Sequence, residues 1–111
     1  MIIENVQAIH QKAQQAAQAA ATKFLNERMG GKDNYPCGFA WVTVFEKGST
    51  KMGRALKSIG FSKAYNGGLQ LWNPSGLPVQ NVDVKEAGAA AYAKVLCDEL
   101  GIKAYPESKL D

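Results

Sequence analysis

Apolar residues recur at helical spacing from Val6 to Leu25, with Ile9, Ala13, Ala16, Ala17, Ala20 and Phe24 between them. The segment 4–29 has no Pro or Gly and is rich in Ala, Gln, Lys and Glu, all good helix formers. It predicts one long helix ended by Gly30 and Gly31. The stripe is mostly alanine, so whatever it packs against must come close. The pattern changes at "CGFAWVTVFE", residues 37–46. Phe39, Trp41, Thr43 and Phe45 fall on one side of a strand, and Ala40, Val42 and Val44 on the other. Both sides are mostly apolar, which predicts a central strand.

Met52, Ala55, Leu56 and Ile59 then make a second helical stripe, with Lys51, Arg54 and Lys57 on the opposite side. Ser49 or Thr50 is the natural N-cap, and Gly60 ends the helix. Two β-rich runs flank Asn66–Gly67, the preferred pair for a two-residue type I′ hairpin turn. That register sets Lys63 opposite Gln70 and Phe61 opposite Trp72. It puts Phe61, Lys63, Tyr65, Gln70 and Trp72 on one face and turns Ser62, Ala64, Leu69 and Leu71 inward. If Gly68 belongs to the loop instead, the pairs shift and the faces mix. Asp83 and Glu86 have capping-box spacing and open a third helix, roughly 84–100. Its small-residue face includes Val84, Ala87, Gly88, Ala91 and Val95, with Leu96 and Leu100 at the end. Gly101 closes it. "IKAYPESKLD" is either a short edge strand or a tail. The order α-β-α-β-β-α, with that last strand left open, predicts one α+β domain over residues 1–111, a small and mostly antiparallel sheet packed with helices.

Composition narrows the function classes. A chain of 111 residues has room for one domain and one core. No apolar run approaches the ~20 residues of a membrane span. Glu4, Gln7 and His10 interrupt any N-terminal hydrophobic segment, so a cytoplasmic location is expected. Cys37 and Cys97 lie far apart in sequence and read as reduced thiols; a disulfide needs a proximity that sequence does not give. With His10 the only histidine, no zinc spacing is present, and no metal or cofactor is expected. The acidic residues are scattered, and no nucleophile motif surrounds His10 or Cys37. The expectation is a protein without enzymatic activity.

Charge adds the most. The net charge of +3 is modest, but residues 37–82 carry Lys47, Lys51, Arg54, Lys57 and Lys63 against the single acid Glu46. A basic helix face beside an aromatic hairpin suits a phosphate-bearing ligand, most of all nucleic acid: cations meet phosphates and rings stack on bases. The candidate contacts are Lys51, Arg54, Lys57 and Lys63 for phosphates, and Tyr65 and Trp72 for stacking. Gly48, Ser49 and Thr50, just before a helix N-terminus, form a candidate phosphate-binding turn for a small nucleotide. This is not a Walker A loop. The same lysines also suit a solvated face. A protein-interaction or inhibitor module is a further reading, with helix 4–29 and the tail residues Ile102, Tyr105 and Leu110 contacting a protein partner or a second copy.

"STKMGRALKSIGFSKAYNGGLQLW", residues 49–72, resembles the recognition helix and wing of winged-helix DNA-binding domains. The shared features are the amphipathic basic helix, its "GF" exit and a glycine-tipped hairpin ending in an aromatic residue. The resemblance implies that Lys51, Arg54 and Lys57 approach the major groove while Lys63 and Asn66 sit on the wing. In size and in lacking an enzyme signature, the chain is similar to small accessory proteins of bacteriophages. That likeness implies binding of nucleic acid, sequestration of nucleotides or blockade of a host protein.

Overall fold

The computed structural model describes residues 5–33, 35–64 and 67–110. Its elements follow the predicted order: α1 (Val6–Met29), β1 (Gly38–Val44), α2 (Lys51–Ser58), β2 (Ser62–Lys63), β3 (Leu69–Trp72), α3 (Val82–Leu100) and β4 (Ala104–Leu110). The C-terminal segment is an edge strand rather than a tail. The four strands form one antiparallel sheet in the order β2-β3-β1-β4, with β1 between two partners as its apolar sequence predicts.

The helices cover one face of this sheet. Ala40, Val42 and Val44 of β1, Leu69 of β3 and Ala104 of β4 point into a core shared with Leu56, Leu96 and Leu100. Helix α1 joins this layer by lying against α3. Ala13, Ala17 and Ala21 are fully buried there, and Gly88 of α3 comes close to the Ala17 carbonyl. Helix α3 is thus the close neighbour that the alanine stripe calls for. The largest wholly buried side chain is Tyr92, which lies among alanines in α3 and which the small-residue pattern passes over. Its ring sits 6.2 Å from Phe61, and its hydroxyl lies 2.7 Å from His10 Nδ1.

Two local expectations change. Helix α3 begins earlier than the Asp83–Glu86 spacing indicates, because Asn81 is the cap: its side-chain oxygen accepts from the N–H groups of Asp83 and Val84 at 2.9 and 3.0 Å. Asp83 occupies the first turn instead, where a carboxylate favours the helix dipole. The hairpin register also differs. Ser62 pairs with Gln70 and Lys63 with Leu69, and Ala64 N–H donates to the Gly68 carbonyl at 2.7 Å. Three residues, 65–67, thus connect the strands, and Gly67 supplies the positive φ (96°) at the end of that loop. A change of one residue in loop length exchanges the two faces of β2. Phe61, only 3% exposed, enters the core, and Ser62 moves to the outer side. Tyr65 and Asn66 lie outside the described residues.

No helix among the described residues is long and apolar enough to cross a membrane.

Burial disfavours the imidazolium of His10 and lowers its pKa from the ordinary 6.5. In the folded protein the neutral ring nitrogen can accept a hydrogen bond from the Tyr92 hydroxyl. The unfolded chain then binds the proton more readily just below pH 6.5. Stability therefore declines as pH falls through the window from 6.5 down to the lowered folded value, and this contribution is level above 6.5. Urea unfolding across that window should show the decline in the native protein and a flatter profile in His10→Gln; parallel profiles would contradict the assignment.

Candidate functional site

Strand alternation puts Phe39, Trp41 and Thr43 on the side of β1 away from the helices, and Phe45 continues the row. The register adds neighbours on the same side: Trp72 beside Trp41, Gln70 beside Thr43, then Lys109, Glu107 and Tyr105 beside Phe39, Trp41 and Thr43. No helix among the described residues covers them. Phe39 is 40% exposed, Trp72 46%, Tyr105 44% and Phe45 65%. Five aromatic rings thus occupy the uncovered face of one small sheet.

Their arrangement is specific. Trp41 and Trp72 are direct cross-strand partners, and their rings stack with centroids 4.6 Å apart and planes 27° from parallel. Phe39 meets Trp72 edge-on at 6.0 Å. Phe45 and Tyr105 form a second pair at 6.1 Å. Between the groups, Glu107 accepts hydrogen bonds from Trp41 Nε1, at 3.1 Å, and from the Thr43 hydroxyl. The carboxylate fixes the Trp41 indole, while the surrounding rings leave Thr43 almost without exposure. Lys85 reaches from α3 to the edge of this face. Its ammonium donates to the Gly38 carbonyl at 2.8 Å and sits 5.2 Å from the centre of the Phe39 ring. Lys109 is the register partner of Phe39. The Phe39 end of the aromatic group is thus cationic, whereas its middle holds one carboxylate already engaged by two donors.

The residues singled out from sequence divide into two groups. Trp72 belongs to the aromatic face. Lys63 pairs with inward-facing Leu69 and so lies on the opposite side of the sheet edge from Trp72. There it lines a cavity of about 290 Å³ with Gly48, Ser49, Lys57, Gly67, Gly68 and Leu69. Lys51 and Arg54 are exposed on α2, and Arg54 Nη1 donates to the Ser49 carbonyl at 2.9 Å. The Thr50 hydroxyl is engaged as the α2 cap: it accepts from Gly53 N–H and donates towards Glu46. His10 and Cys37 have separate partners, Tyr92 and Gln80. Trp41, Phe39, Lys85 and Lys109 were not singled out from sequence. The signal for the first two was present, since Phe39, Trp41, Thr43 and Phe45 already formed one row. What revealed the row as exposed was the placement of all the helices on the other side.

Comparisons with protein-family models, with curated proteins and with solved structures found no match.

Two indoles stacked at 4.6 Å couple their electronic transitions. The native protein should show an exciton couplet in circular dichroism that either Trp41→Phe or Trp72→Phe abolishes, with the helical signal retained. A spectrum unchanged by Trp72→Phe would contradict the stacked geometry.

Proposed function

We propose that this protein is a non-enzymatic module that binds single-stranded nucleic acid on the open face of its sheet. The observation that carries the reading is the Trp41–Trp72 stack, with Phe39 against it, uncovered on a sheet whose other face holds the helices. Unpaired bases present flat π-faces, and exposed rings on a rigid sheet receive them without reorganisation. Lys85 and Lys109 stand at the Phe39 end, where a strand lying across the rings would bring its phosphates. The cations of α2 and β2, Lys51, Arg54, Lys57 and Lys63, extend the positive field around the sheet edge and favour encounter with a polyanion. None of these six forms an ion pair with a carboxylate among the described residues. The reading places the protein in the cytosol, where its two free cysteines stay reduced.

A second reading rests on α2, which exposes Lys51, Arg54 and Lys57 and leads directly into the β2–β3 hairpin. This is the order of a recognition helix and wing, and it favours duplex DNA.

Titration with single- and double-stranded oligonucleotides at two salt concentrations separates the two. On the first reading, the single strand quenches tryptophan fluorescence and binds less tightly as salt rises. Trp72→Ala then weakens it roughly tenfold to a hundredfold, the worth of one stacked base. Preference for duplex, abolished by Arg54→Glu with Lys57→Glu and indifferent to Trp72→Ala, would transfer the function to α2.

A further inference from the structure

The cavity between the turn before α2 and the β2–β3 hairpin lies on the other side of the sheet edge from the aromatic face, and its chemistry differs. Lys57 comes from the last turn of α2 and Lys63 from β2, so two successive elements, a helix and a strand, bring two ammonium-bearing side chains to one hollow. Neither is in an ion pair among the described residues. The nearest acid in sequence, Glu46, is taken up by the Thr50 hydroxyl at 2.7 Å. Like charges brought to one cavity repel each other, and a bound anion removes that repulsion.

The backbone around these lysines is built from glycine. A Cβ on Gly48 would come within 2.5 Å of the Lys57 ammonium and 2.6 Å of its Cε, so the bare Cα is what lets the Lys57 side chain lie across the turn. Gly67 and Gly68 form the facing wall, and Gly68 is bounded behind by the Val44 carbonyl, 2.9 Å from where its Cβ would be. Side chains are thus missing on both walls, and a ligand can approach main chain on either side while the lysines supply charge. The volume of about 290 Å³ lies at the lower bound of small-molecule pockets, roughly 300 Å³, and suits a compact polyatomic anion or the phosphate end of a larger molecule.

We infer that this cavity is a second, independent binding site for a phosphoryl group, held by Lys57 and Lys63 over the Gly48–Ser49 turn. It does not depend on the sheet face binding nucleic acid. The same chemistry is offered by inorganic phosphate, by a nucleoside monophosphate and by the 5′-phosphate of a strand, and the test distinguishes these sources.

Melting temperature is measured at constant ionic strength with increasing inorganic phosphate, AMP, or an oligonucleotide with a 5′-phosphate or a 5′-hydroxyl. Chloride makes up the ionic balance, and sulfate serves as a second control. The inference expects a saturable rise of several degrees with at least one phosphoryl compound. It expects the apparent affinity to fall about tenfold in Lys57→Gln or Lys63→Gln, the loss of one charge-assisted contact. Lys51→Gln, on the same helix but outside the cavity, and Trp72→Ala, on the other face, should leave the rise with inorganic phosphate unchanged. A larger rise with the 5′-phosphorylated strand than with its 5′-hydroxyl counterpart, the difference being lost in Lys63→Gln, would identify a strand end as the source. No saturable rise with any phosphoryl compound would overturn the site. So would an equal rise with sulfate and phosphate that Lys51→Gln reduces as much as Lys63→Gln, since that is the response of general surface charge.

Discussion

A Cβ added to Gly88 would lie 3.3 Å from the Ala17 carbonyl oxygen and 3.5 Å from the Ala21 methyl, and on the other side 3.0 Å from Ser75. The approach of α3 to α1 is close, and it follows from a stripe of alanines meeting a glycine. Close approach lets both helices share one layer against a sheet of four strands. Tyr92 joins the layers, reaching His10 on α1 and Phe61 at the start of the hairpin. Both long helices and the apolar face of α2 are on that side, so no helix among the described residues covers the other face of the sheet.

That one-sidedness gives the aromatic row its meaning. Burying apolar surface is worth about 25 cal/mol per Å², and four large rings here leave much of that gain unrealised. Uncovered aromatic patches of this kind mark interaction surfaces. Glu107 deepens the argument. It holds the Trp41 indole by a hydrogen bond and Thr43 beneath it, so the rings are fixed before any ligand arrives. A rigid platform loses little side-chain freedom on binding. Lys51, Arg54, Lys57 and Lys63 lie apart from the aromatic row, so on the proposed reading attraction of a polyanion and stacking of its bases fall to different residues.

The order of elements was legible because helical and strand periodicities are local, as are the glycines that end α1 and α3 and the threonine that caps α2. The exposure of Trp72 was not legible: its pattern fits a core tryptophan as well as a solvent-facing one, and the placement of the helices decides between them. The hairpin register was not legible either: Asn66–Gly67 promises a two-residue turn, yet the chain uses three residues with Gly67 last, and that choice moves Lys63 away from Trp72. Strand β1 was read as central from its two apolar sides. Only the count of helices on each side of the sheet tells that one apolar side faces the core and the other faces outward. The C-terminal strand was ambiguous because its outward residues, Tyr105, Glu107 and Lys109, are largely polar and Pro106 suits either an edge strand or a tail. Its contribution to the site, Glu107 against Trp41, depends on a pairing between strands 66 residues apart in sequence that no local pattern signals.

The most direct measurement is a heteronuclear NMR titration of the protein with a short single-stranded oligonucleotide, following the two indole N–H signals and the backbone amides together. Binding on the open sheet predicts that both indole signals move, along with amides of Phe39, Thr43, Gln70 and Tyr105, while those of the buried α1–α3 contact hold still. Shifts confined to α2 and the β2–β3 hairpin, with both indole signals stationary, would contradict it and leave the aromatic face without the role assigned to it.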